Sequence, residues 1–200
     1  MRTLAAASGF AIFPTAIGHC SVAWNERAVI VRMQLPEVSE GFTRARMQRR
    51  YRAAVEAPPP APVKAAIDGV IALLNGENVD LSKVPLDMSS VPPFHRRVYE
   101  LALKIPRGQT LTYGDIATRL GEPGSARAVG QALGANPFAP IVPCHRVLAA
   151  GAKHGGFSAP GGLTTKLRML GIEGAQVSDA LTPDMFDGEE TIPYVRIRPN

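Results

Sequence analysis

Apolar and polar positions change their period several times along the chain, and each change marks an element. Short apolar or alternating runs at Phe10-Ala11-Ile12-Phe13, Ser21-Val22-Ala23-Trp24 and Ala28-Val29-Ile30-Val31-Arg32-Met33 predict three strands. Asn25-Glu26-Arg27 reads as a tight hairpin connection between the last two. A helical piece bearing Arg44, Arg46, Arg49, Arg50 and Arg52 follows, a cluster that reads first as a solvated helix face. Ala57-Pro58-Pro59-Pro60-Ala61-Pro62 is a stiff break, after which Ile67, Val70, Ile71 and Leu74 return at helical spacing between Val63 and Asn75. A loop over roughly 84–93 then leads into a helix from Phe94 to Lys104.

The next pattern is a helical pair. Thr112 with Asp115 forms a capping box, and Ile116, Ala117 and Leu120 fall on one face of the helix it opens. Gly121-Glu122-Pro123-Gly124 breaks it, Ser125 stands in the next N-cap position, and Val129, Ala132 and Leu133 line one face of the second helix. That second helix is mostly Ala, Gly and Gln, so its backbone can approach a partner closely, with Arg127 projecting from its first turn. It has the outline of a recognition helix, although a plain helical hairpin in a core has the same periodicity.

Pro143-Cys144-His145-Arg146-Val147 places one of only two cysteines beside a histidine, behind the apolar pair Ile141-Val142. A thiolate, not a thiol, attacks carbon efficiently, so such a sulfur needs a base or a positive field to be kept ionised. His145 is the base at hand. On a straight strand the two side chains point to opposite faces, so either the chain turns sharply at Cys144 or a water carries the proton. The alternative is a small buried cysteine at a strand end next to a surface histidine.

Composition agrees without deciding. A formal net charge of +5 favours a polyanionic partner. Two distant cysteines make no disulfide framework and point to a reducing, cytoplasmic setting. The apolar start of the chain is a poor secretory signal, because Ser8-Gly9 and Pro14 interrupt it, and no segment is long enough to span a membrane.

The ordered set Ile105-Pro106-Arg107-Gly108, Thr112-Tyr113-Gly114, Arg127-Ala128-Val129-Gly130, Asn136-Pro137, Pro143-Cys144-His145-Arg146-Val147 and Gly155-Gly156-Phe157-Ser158 resembles the O6-alkylguanine-DNA alkyltransferases, over roughly residues 92–174. The resemblance implies that Cys144 accepts, once and irreversibly, the alkyl group of a base flipped out of double-stranded DNA. It implies His145 as base through a water, Glu173 as the acid that orients it, and Asn136 as the tie of the turn before the cysteine. Without the family, Glu173 reads as a helix-end surface charge and Asn136 as an ordinary helix end. Arg127 would fill the gap left in the duplex, with Ala126 and Gly130 on the same close-approaching helix. Tyr113 would crowd the phosphate and steady the departing guanine. The helix would enter the minor groove.

Val147, Phe157, Ser158 and Lys166 match positions around the guanine pocket. Phe157 stands where tyrosine is usual, and Ser158-Ala159-Pro160-Gly161-Gly162 is longer than the usual loop, which leaves the tolerance for larger alkyl groups open. Lys166 reads as a pocket-wall ion partner or a solvated helix residue, with a structural role preferred. The implied fold is an α/β N-terminal domain over residues 1–88, a small antiparallel sheet with helices, ribonuclease H-like. Behind it stands a mostly α, winged-helix-like helix-turn-helix domain over residues 89–175. Residues 176–200 form an acidic tail. The expected protein is a monomer with no cofactor. Cys20 with His19 and His95 provides too few ligands for structural zinc, so no metal is expected. A helix-turn-helix regulator, an alkyltransferase-like lesion binder without transfer, and a thiol hydrolase are the competing classes; Cys144 argues against the first two, and single turnover would exclude the third.

Overall fold

The computed structural model describes residues 5–150 and 161–175. Strands β1 (Gly9–Thr15), β2 (Gly18–Trp24) and β3 (Ile30–Gln34) pair antiparallel, as their alternating apolar positions predict. The hairpin between β2 and β3 is longer than the expected three residues. Asn25 Oδ1 accepts from the amides of Arg27 and Val29, and Ala28 takes a left-handed φ of 57°, so β3 starts at Ile30. Helix α1 (Glu40–Arg50) follows, capped by the Ser39 side chain.

The sheet corrects one expectation, for it is mixed rather than antiparallel. After α1 the chain returns as β4 (Val55–Glu56), which lies parallel to β1 and completes the order β3-β2-β1-β4. A helical crossover between strands permits parallel pairing, and two residues are too few for a period to be read in the sequence. The following Pro58-Pro59-Pro60 has no amide donors with which to extend the ladder.

The sheet separates two apolar layers. Phe10, Ala23 and Val31 pack with Met47 and Tyr51 on the α1 side. On the other side Phe13, Cys20, Val22, Trp24, Ile30 and Met33 pack with α2 (Ala61–Leu74), and the same core continues through Val98, Ile116, Val129, Phe138 and Val142. That second layer is built from α3 (Pro93–Ala102), α4 (Tyr113–Arg119) and α5 (Ala126–Gly134), closed by α6 (Gly162–Ile172). A short parallel pair, β5 (Leu111–Thr112) with β6 (Val147–Leu148), ties the entrance of α4 to the segment after the cysteine. The architecture is thus a small mixed sheet with helices followed by a helical portion.

The helix pair α4–α5 forms as its sequence requires. Thr112 Oγ1 accepts from the Asp115 amide at 3.0 Å while Asp115 Oδ2 accepts from the Thr112 amide at 2.7 Å, completing the capping box. Gly121 and Gly124, at φ 76° and 96°, supply the left-handed turn that a side chain would disfavour. Arg97 of α3 holds this turn through Glu122 and the Leu120 carbonyl, at 2.5 and 2.6 Å. Ser125 is the N-cap residue of α5 but makes no side-chain cap, and its hydroxyl is buried without a partner among the described residues.

Candidate active site

The chain does not run straight at Cys144. Residues Cys144–Arg146 form a 3₁₀ turn that leads directly into β6, so the chain turns at Cys144 and a strand starts only at Val147. Pro143 precedes the turn with no amide to continue a ladder. Asn136 holds the approach to it: its Nδ2 donates to the Val142 carbonyl at 2.8 Å and its Oδ1 accepts from the Phe138 amide at 2.9 Å. The C-cap of α5 is Ala135, one residue earlier, so Asn136 ties the turn without being the cap.

His145 is completely buried, with Nε2 2.8 Å from Glu173 Oε1 and Nδ1 without a hydrogen-bond partner among the described residues. Glu173 is buried as well, which overturns its alternative as a surface charge. Burial alone would raise its pKa, but hydrogen bonds from His145 and Arg146 outweigh that and hold the carboxyl at about 2. Burial pushes His145 down and Glu173 pulls it back up, with a net shift below its ordinary value. A neutral ring beside an ionised carboxylate donates through Nε2, which leaves Nδ1 as the free acceptor.

Cys144 is buried, with 8% of its surface accessible. Burial raises its pKa, against which stand a hydrogen bond from Asn136, the charge of Lys166, and the backbone amides of Cys144 and His145. The net direction is upward, so the resting sulfur is a thiol. The groups that oppose burial stand where they assist deprotonation.

Lys166 is 1% exposed, so it is no solvated helix residue. Its Nζ donates to the Val147 carbonyl at 2.7 Å and lies 5.8 Å from the centroid of the Tyr113 ring. Its pKa is lowered by burial, partly offset by Cys144. Tyr113 opens α4 half-buried, and burial followed by the nearby Cys144 raises the pKa of its hydroxyl. A Cβ on Gly130 would meet the Tyr113 ring at 3.9 Å, so α5 passes directly over that ring. Arg127 is exposed in the first turn of α5 beside the partly exposed Ala126. The site thus joins Tyr113, Asn136, Cys144, His145, Val147, Lys166 and Glu173. Phe157 and Ser158 lie outside the described residues.

Two arginines escaped assignment from sequence. Arg146 Nε and Nη2 grip both oxygens of Glu173 at 2.8 and 2.9 Å, and Nη1 donates to the Ile105 carbonyl at 2.6 Å. Arg107 Nη2 donates to the Gly76 carbonyl at 2.7 Å and to the Ile172 carbonyl at 2.8 Å, immediately before Glu173. Both lie inside the motifs already singled out, but nothing in a local pattern tells which carboxylate or carbonyl a long side chain will reach. Cys20 stands apart, sealed at 0% exposure, with Thr15 Oγ1 3.8 Å away and burial raising its pKa to about 12. Its neighbour His19 lies 3.4 Å from Glu40.

Residues 93–175 match the family described as 6-O-methylguanine DNA methyltransferase, DNA binding domain. A methylated-DNA–protein-cysteine methyltransferase of Mycobacterium tuberculosis is 42% identical over 130 residues, covering 65% of this chain and 75% of the relative. One from Methanothermobacter thermautotrophicus is 39% identical over 119 residues, 60% of this chain and 65% of the relative. The crystal structure of Mycobacterium tuberculosis OGT in complex with DNA superimposes with a TM-score of 0.67 at 32% identity, covering 83% of this chain and 92% of that one. Likeness of this extent, reaching from the sheet to the relay behind the cysteine, places the chain in the methylated-DNA–protein-cysteine methyltransferase family.

Proposed function

We propose that the chain repairs O6-alkylguanine in duplex DNA by moving the alkyl group to Cys144, once per molecule. The observation that carries this is the buried line from Cys144 through its neighbour His145 to Glu173, with the 2.8 Å contact between the last two and His145 Nδ1 left unengaged. His145 takes the thiol proton through a water. The imidazolium so formed lies against the ionised Glu173, which Arg146 holds in place. The sulfur attacks the alkyl carbon, a C–S bond forms, and the C–O bond breaks with its electron pair passing to guanine O6. Tyr113 steadies that charge through its hydroxyl, and the proton returns to the purine as it departs. A thioether has no easy route back to thiolate, so no second turnover follows.

Arg127, with Ala126 and Gly130 on the same helix, enters the minor groove and fills the gap as the nucleotide leaves the stack, at a cost of a few kcal/mol. Val147 and Lys166, with Phe157 and Ser158, surround the extruded base. The chain acts as a monomer in the cytoplasm. Residues 1–88, of ribonuclease H-like form, brace a winged-helix-like unit over 89–175, and the acidic residues 176–200 take no part in transfer.

Incubation with duplex DNA containing O6-methylguanine adds one methyl mass to the peptide that holds Cys144. An unchanged intact mass at excess substrate would falsify the proposal.

A further inference from the structure

The three large apolar side chains most exposed among the described residues, Val38 at 82%, Phe42 at 64% and Val55 at 65%, all flank or ride on α1. Phe42, Arg46 and Arg49 share one stripe of that helix, with Arg50 between the stripe and the buried face. Carboxylates engage only part of the charge. Arg44 bonds Glu40 and Glu56 at 2.7 and 2.9 Å, and Arg46 bonds Glu37, whereas Arg32, Arg49, Arg50 and Arg52 have no acidic partner among the described residues.

Beneath this helix the sheet carries polar groups with nothing to bind. Ser21 stands opposite Gln34 and Ala23 opposite Arg32, and because Ala23 packs with α1, these side chains share its face. Ser21 Oγ, Arg32 Nε and Gln34 Oε1 are buried without partners among the described residues, while Ser21 and Gln34 are 0% and 6% exposed. Burial depresses the pKa of Arg32 to about 10, and the charges of Arg50 and Arg46 add to the effect. Like charges gathered around the half-buried Arg32 guanidinium, whose Nε has no partner among the described residues, are costly unless an anion joins them.

We propose that α1 with β3 forms a second nucleic-acid contact, in which Arg32, Arg49, Arg50 and Arg52 take the phosphates of a strand and Phe42 stacks on a base. It lies across the sheet from α5. Phe10 and Ile12 of β1 face α1, while Phe13 joins the core that holds α2 and α5, so a duplex seated on α5 leaves this surface open. The choice of polyanion rests on the proposed repair function. Guanidinium groups with an aromatic platform suit single strands, whose phosphates and bases they can take together.

The test uses the full chain with α5 saturated by an undamaged duplex of about 10 bp, one helical turn. A fluorescent single strand of about 15 nucleotides is then titrated by anisotropy. The strand binds as a ternary complex. In R49Q/R50Q/R52Q its affinity falls at least tenfold, and the slope of log affinity against log salt drops by about 2, from roughly 0.7 per lost phosphate contact. Methyl transfer to Cys144, measured separately with a duplex of the same length that contains O6-methylguanine, stays unchanged, which also reports that the variant is folded. Phe42→Ala, a single exposed change, weakens strand binding several-fold and covers the case in which the triple variant does not fold. Displacement of the strand by the duplex, an unaltered salt slope, or equal binding to phosphatidylserine vesicles overturns the proposal. Absence of methyl transfer in the unsubstituted protein would strike the repair function instead, while the strand titration still decides the surface.

Discussion

Cys20 and Cys144 are both free, both buried, and both pushed toward the protonated form by burial, yet their surroundings differ in kind. Cys20 sits among Phe13, Val22 and their neighbours, with a single weak contact to Thr15 to oppose its desolvation. Around Cys144 an amide side chain, an ammonium group and two backbone amides all act in the opposite direction, and the next residue, His145, is bonded to Glu173 at the end of α6. Burial therefore does not separate an inert thiol from a reactive one. The charges and dipoles around the sulfur do.

The largest expected effect on this contrast comes from Cys144→Ala, which removes all methyl transfer, read as the absence of any methylated peptide in mass spectra, while duplex binding persists. Next is Glu173→Gln. Transfer slows about 100-fold, the lower range for general acid–base catalysis, in single-turnover kinetics. The same carboxyl governs acid stability. Its pKa is lower in the folded chain, about 2, than the ordinary 4.5, so its contribution is full above pH 4.5 and is lost as pH falls toward 2. Thermal unfolding followed from pH 6 to 2 should therefore decline more steeply in the parent than in Glu173→Gln.

A smaller effect separates the thiols directly. With iodoacetamide at mildly alkaline pH, Cys144 is labelled at least tenfold faster than Cys20, and its rate falls as pH is lowered because the resting sulfur is a thiol. Equal rates, read by peptide mapping, would erase the contrast. Least of all, Cys20→Ala leaves transfer untouched and costs about 1–2 kcal/mol of stability in denaturant unfolding, as small core deletions do.

Much of this was legible in the chain because it depends on neighbours in sequence. The β1–β2 pairing follows from alternation, the α4 cap from Thr112 and Asp115, and the break before α5 from Gly121 and Gly124. The candidate nucleophile and base are adjacent, so they could be found without a fold. What could not be read arises from distance or from water. The parallel placement of β4 depends on the crossover through α1, the Ser125 hydroxyl lost its cap to local backbone geometry, and the thiol's upward shift depends on burial that no short pattern encodes. Arg146 illustrates the same limit, since its partner lies 27 residues away.

The single Arg107 nitrogen that joins the Gly76 and Ile172 carbonyls has an architectural consequence. One belongs to the turn that ends α2 in the front of the molecule, the other to the last turn before the relay's acid, while Gly108 leaves only 3.3 Å between its missing Cβ and the Glu173 carbonyl. A fragment starting at α3 would keep every reactive group but forfeit this keystone. Arg107 would then hold the Ile172 carbonyl alone, so the setting of the acid depends on a backbone group far outside the segment that carries the chemistry.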